Sequence, residues 1–107
     1  MKTSPIHIGG RKKICPDEIL MLEGNTNYTD LYLLDGKKIT VATTLKKLEK
    51  RFVIYQNFFR PHKSFIVNLD YLSDYQSGSD EFTMQNNRTV LIARRRKTAF
   101  KSRISTN

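Results

Sequence analysis

The chain has 107 residues with 19 Lys and Arg against 10 Asp and Glu, a net charge of +9 and a pI near 9.9. That length supports one hydrophobic core and no second domain, and the charge favours a polyanionic partner without naming it. A lone Cys15 excludes an intramolecular disulfide, and no run approaches the roughly 18 to 20 apolar residues of a membrane span, so a soluble protein of the reducing cytoplasm, with no membrane partner, is expected.

Met1 to Pro5 lead into His7 and Gly9-Gly10 with no apolar targeting core. Cys15, His7 and His62 lack zinc-ligand spacing, so no metal is expected and Cys15 reads as a small buried apolar residue. Ile19 to Leu22 reads as a buried strand fed by the turn Pro16-Asp17-Glu18. Tyr28 to Leu34 alternates, with Thr29, Leu31 and Leu33 on one face and Tyr28, Asp30 and Tyr32 on the other. Asp35-Gly36 then signals a type I′ hairpin turn, in which both central residues need positive φ. The return strand, Lys37 to Ala42, points Ile39 and Val41 inward. Thr43 or Thr44 can cap a helix of about two turns, whose stripe is Leu45, Leu48 and Phe52 and whose other side carries Lys46, Lys47, Lys50 and Arg51.

Within Phe58 to Leu72 a polar, hydrogen-bonding turn stands directly before a buried strand at Ser64 to Val67. A turn at Leu69 to Leu72 and a strand at Leu72 to Gln76 follow. Ser77-Gly78-Ser79-Asp80 and Asn86-Asn87 bound a strand at Glu81 to Gln85, and Arg88 to Ile92 pairs back. From Phe82 to the end there are seven basic residues (Arg88, Arg94, Arg95, Arg96, Lys97, Lys101, Arg103) and no acidic one. A helical wheel from Ala93 places Ala93, Phe100 and Ile104 on one stripe that can dock on the sheet. Arg94 and Lys101 flank it on one side, Arg96 and Arg103 on the other, and Arg95 points out. The fold class is mostly β, antiparallel, with a few short helices, in one domain over residues 1–107.

Leu22-Glu23-Gly24-Asn25, Asn27-Tyr28-Thr29, Asp35-Gly36, Thr44-Leu45-Lys46-Lys47-Leu48-Glu49, the run Phe59-Arg60-Pro61-His62-Lys63-Ser64-Phe65-Ile66-Val67-Asn68 and the Arg94-Arg95 pair occur here in a specific order and spacing. On these residues the chain, from about 19 to 104, resembles the LytTR family of DNA-binding domains, found mostly as output domains of bacterial response regulators in two-component systems. The resemblance implies an antiparallel β fold that reads a bent duplex through loops, without a helix-turn-helix. Carried onto matching positions, it implies contacts from Asn27, Tyr28, Thr29 and Asp30 in a first loop, His62, Lys63 and Ser64 in a second, and Arg94, Arg95 and Lys97 at the start of the last helix. Two departures are visible. Leu91-Ile92-Ala93 stands where the family often has Pro, an aliphatic residue and Ser, and Pro61 stands where an aliphatic residue is usual.

The residue chemistry fits nucleic acid. The Arg94 and Arg95 guanidiniums can clamp phosphate or reach guanine O6 and N7, and Lys63 is a flexible point charge. His62 and Ser64 can donate to phosphate or fix their own turn. Asn68 reads as a structural bond at a strand end, and Phe58, Phe59 and Phe65 as core. Arg95, Arg96, Lys97 and Lys101 are the expected phosphate neutralisers. Roughly six to eight engaged phosphates would give a salt slope of about −5 to −7. No spacing joins His62, Asp70 or Cys15 into a catalytic set, so neither an enzyme nor a cofactor is expected. The expectation is sequence-specific binding of double-stranded DNA in bacterial transcription regulation. An RNA or single-strand binder, or a basic protein-interaction module, is the alternative. By the resemblance, pairing as a homodimer on repeated half-sites is expected. These residues contain no receiver domain; for a chain complete as given, input would come from a separate signalling protein, from expression level or from ligand contacts.

Overall fold

A computed structural model describes residues 4–105. Ten strands and two α-helices follow in order: β1 (Ile6–Gly9), β2 (Lys12–Ile14), β3 (Ile19–Asn25), β4 (Tyr28–Leu33), β5 (Lys38–Val41), α1 (Leu45–Phe52), β6 (Phe58–His62), β7 (Phe65–Asn68), β8 (Leu72–Asp74), β9 (Glu81–Met84), β10 (Thr89–Leu91) and α2 (Lys97–Ser105). Short 3-10 turns lie at Pro16–Glu18, Leu69–Tyr71 and Arg94–Arg96. The strands form a five-stranded sheet, order β5-β4-β3-β7-β6, a three-stranded sheet, order β10-β9-β8, and the hairpin β1-β2. Every pairing is antiparallel, as the sequence implies.

The five-stranded sheet is the middle layer and is buried on both faces. On one face Leu22, Leu31, Val41 and Ile66 pack against Leu45, Leu48 and Phe52 of α1 and against Ile8 and Ile14 of the β1-β2 hairpin. On the other, Met21, Phe59 and Val67 meet Phe82, Met84 and Val90 of the small sheet and Phe100 of α2. This double burial is why β3 begins as the unbroken apolar run Ile19-Leu20-Met21-Leu22. A bulge between Ile19 and Met21 sends Leu20 and Met21 into the same cluster instead of opposite ones.

Local chemistry sets the boundaries. The Thr44 hydroxyl oxygen accepts from the Lys47 amide at 3.3 Å and caps α1. In the β4-β5 turn Leu33 carbonyl accepts from the Gly36 amide at 3.1 Å, and the Asp35 carboxylate accepts from the Lys37 amide. Only Gly36, at φ +90°, takes a positive φ there, so the turn is a bulged four-residue connection and not the expected type I′ pair. Asn68 is buried; its amide donates to Ile19 carbonyl, and its oxygen accepts from Asp70 and Asn57. Cys15 is half-buried, less enclosed than its sequence setting suggests.

Three elements differ from the sequence reading. The expected turn before Ser64 is largely strand, since β6 continues through Pro61 to His62. Pro61 is tolerated because β6 is an edge strand with a bulge between Phe59 and His62. The hairpin β1-β2 has no counterpart among the expected elements. The segment from Ala93 does not start as α-helix: Arg94–Arg96 form a 3-10 turn capped without a side chain, and α2 begins at Lys97.

Candidate nucleic-acid interface

Antiparallel pairing brings three separated segments to one end of the large sheet. The first is Thr26-Asn27, the two-residue connection between Asn25 and its partner Tyr28. The second is Lys63-Ser64, between β6 and β7. They are tied together by the Gly24 amide, which donates to Ser64 carbonyl at 2.8 Å. The third is Arg94–Arg96, anchored by the Ala93 amide, which donates to Pro61 carbonyl at 2.8 Å. Backbone hydrogen bonds therefore hold residues far apart in sequence in one row.

Within this row, His62, Lys63, Arg95 and Arg96 line a cleft of about 270 Å³ together with Glu49, Arg60 and Ala93. Four cations face one carboxylate there. That carboxylate is compensated, since Arg60 Nη1 lies 2.7 Å from Glu49 Oε1 while Nη2 donates to Lys63 carbonyl. Arg60 thus pins the second loop to α1. Its place inside the Phe59-to-Asn68 run is the sequence signal, but no such role is readable without the structure. His62 is half-buried, and its Nδ1 accepts from the Ser64 amide at 3.1 Å. A neutral ring bonded in this way carries its proton on Nε2, leaving a donor for an external acceptor. Lys63, Arg94 and Arg95 are exposed, and Ser64 is half-buried.

Several expected contacts are otherwise engaged. Thr29 is fully buried and its hydroxyl donates to Thr43 carbonyl at 2.7 Å; the alternation that groups it with Leu31 holds, and it presents nothing to a ligand. Asp30 accepts from the Thr40 hydroxyl across the β4-β5 pair, and its negative charge opposes phosphate. Arg96 donates from Nε to Arg60 carbonyl at 3.0 Å, with its guanidinium over the Phe59 ring. Lys97 pairs with Asp80, whose carboxyl it holds below the ordinary 3.8. Lys101, one turn further along α2, is exposed, outside the cleft lining. Asn27 is exposed at the first loop, next to Tyr28, which is 54% exposed.

Phe100 positions the third segment. It stacks on Phe82 with centroids 4.8 Å apart and meets Tyr75 edge-on at 5.0 Å, which seats α2 on the small sheet. Among the described residues there is no group of three or more His, Cys, Asp or Glu that could hold a metal ion. None of their helices is long and apolar enough to cross a membrane.

Comparison with known proteins agrees with this architecture. The sequence profile of the family described as the LytTr DNA-binding domain matches residues 9–105. Among solved structures, the chain is similar to the LytTr DNA-binding domain of a methyl-accepting/DNA response regulator from Bacillus cereus, with a TM-score of 0.74 and 16% identity over 98% of each chain. No curated protein matches by sequence. The profile covers nearly the whole chain, and the chain belongs to the LytTR family of DNA-binding domains, which is not a catalytic family.

Proposed function

We propose that this domain binds double-stranded DNA sequence-specifically in bacterial transcription regulation, with the loop-bearing end of the large sheet facing the major groove. The observation that carries this reading is the cleft in which His62, Lys63 and Arg95 converge, at the end of the sheet where the Gly24 amide ties the second loop to the strand that leads into the first. Of the cations expected around this end, Lys63, Arg94, Arg95 and Lys101 stay exposed to meet DNA, whereas Arg60, Arg96 and Lys97 are bound internally. Asn27 and Lys63 suit base edges, whereas Arg94 and Arg95 suit phosphate or guanine. A single-strand binder would offer a platform of aromatic faces to successive unstacked bases; Phe58 and Phe59 are buried and Tyr28 offers a single exposed ring at the first loop, which favours the duplex.

The test is selection of bound duplexes from a random double-stranded library at about 150 mM salt, with Arg95→Ala and Lys63→Ala beside the wild type. The expected result is an enriched motif that loses definition at one position in a variant that removes a base contact, at a cost of about 1–3 kcal/mol. Tight binding without enrichment would refute sequence reading and leave a general polyanion binder.

A further inference from the structure

The β1-β2 hairpin carries charge that neither the fold nor the cleft uses. Its packing is done by Ile8 and Ile14, with Ile6 alongside. Arg11, Lys12 and Lys13 are exposed, and none of the ion pairs among the described residues involves them. On the neighbouring α1, Lys46, Lys47 and Lys50 are also exposed, and Arg51 donates to His7 carbonyl at 3.0 Å, which ties the helix to the hairpin. Within residues 4–14 and 42–52 the acidic residue is Glu49, already paired with Arg60. The surface is therefore an uncompensated basic strip.

Its position matters more than its sum. A β-carbon at Gly9 would collide with Oγ1 of Thr43 and crowd Cβ of Val41 at 3.1 Å, so only glycine lets the hairpin turn lie directly on the end of β5. Thr43 carbonyl in turn accepts from Thr29, two residues past Asn27. The hairpin turn thus stands at the same end of the sheet as the three proposed DNA-facing segments, on the β5 side of the row. Four strand spacings from β6 to β5 span about 19 Å, which is roughly six base-pair rises. A longer duplex laid along that row runs past β5, and the first charges beyond it are those of the hairpin.

We infer that the β1-β2 hairpin is a further DNA-contacting element, in which Arg11 and Lys12 neutralise backbone phosphates on duplex flanking the segment read by the loops. It rests on the proposed duplex-binding function and adds affinity without base selection, since flexible exposed side chains on a short turn supply charge and no fixed fork for a base edge. The hairpin so enlarges the footprint beyond the loop cluster.

The experiment is equilibrium binding to a fluorescent duplex of about 30 base pairs across a salt series. Wild type is compared with the double variant Arg11→Ala/Lys12→Ala and with Lys37→Ala/Lys38→Ala, which removes equal charge at the opposite end of β5. Each phosphate contact contributes about 0.9 to the slope of log affinity against log salt. The hairpin variant is expected to have a slope shallower by about 2, while the Lys37/Lys38 variant keeps the wild-type slope. An unchanged slope in the hairpin variant, or equal reductions in both, would overturn the inference and leave the proposed function standing. A wild-type chain that binds no duplex would overturn both.

Discussion

Thr29→Val removes one hydroxyl from a fully buried side chain and keeps its volume, so it isolates a single interaction. The lost bond is the donation to Thr43 carbonyl at 2.7 Å, and Thr43 is itself only 9% exposed. No cavity opens and valine suits a strand, so the cost reduces to a lost hydrogen bond plus a carbonyl left sealed from water. That is about 1–3 kcal/mol, and each kcal/mol lowers the melting temperature of a domain this size by about 4–8 °C. Urea unfolding should show a lower midpoint at constant slope, while duplex affinity measured where both proteins are folded stays within about twofold, less than 0.5 kcal/mol. Asn27→Ala, two residues earlier on the exposed connection, should do the reverse: stability intact, binding weakened. A Thr29→Val protein that is as stable as wild type but binds DNA about tenfold more weakly, about 1.4 kcal/mol, would refute the assignment of this hydroxyl to the interior.

Phe100→Ala removes the ring that stacks on Phe82 and should cost about 3–5 kcal/mol; hydrogen exchange should show residues 97–105 losing protection first, and uniform protection along α2 would contradict its anchoring role. Asn68→Ala orphans the Ile19 carbonyl and should destabilise by about 1–3 kcal/mol or more, read from the urea midpoint; a loss below about 0.5 kcal/mol would mean water or a neighbour replaces the bond. The Tyr32 phenol is raised above its ordinary 10.0, chiefly by burial, with Arg88 pulling it down and Glu23 raising it further. The folded state holds this proton more tightly than the unfolded chain, so the stabilisation is complete below pH 10 and drains away as pH rises from there through the folded pKa. Tyr32→Phe should flatten that alkaline limb in unfolding measured against pH; a limb as steep as the wild type's would show that other groups cause it.

The sequence reads well where one face of an element is buried and the period is clean. The alternation from Tyr28 to Leu34 groups Thr29 with Leu31 on one face, and the structure buries both, while the Leu45, Leu48, Phe52 stripe finds α1. The resemblance counts Thr29 among the DNA contacts, and the structure places it in the interior beside Leu31, bonded to Thr43 carbonyl. The β1-β2 hairpin escaped because its strands are four and three residues long, too short for period two to stand out, although Ile6, Ile8 and Ile14 flank a Gly-Gly turn. At β6 the polar residues before Ser64 read as a turn; that an edge strand can run through them, Pro61 included, depends on neighbours no local pattern reveals. The candidate site was legible as a set of loops. What no sequence argument could supply was the division of labour among the cations, since Arg94 and Arg95 differ from Arg96 and Lys97 only in what the fold places beside them.

The outer edge of β6 shows what part of that division accomplishes. Arg103 donates to the carbonyls of Gln56 and Phe58, Arg96 to that of Arg60, and the Ala93 amide to that of Pro61, while Pro61 has no amide proton to offer. Acceptors along this border are thus occupied and one donor is missing, so a foreign strand finds little to pair with. Two arginines that look in sequence like ligands for a polyanion act as a selvedge that keeps the sheet from fraying into its neighbours. A highly charged domain can then crowd along DNA at high local concentration without zipping edge to edge, and any association between copies is directed to surfaces other than this one.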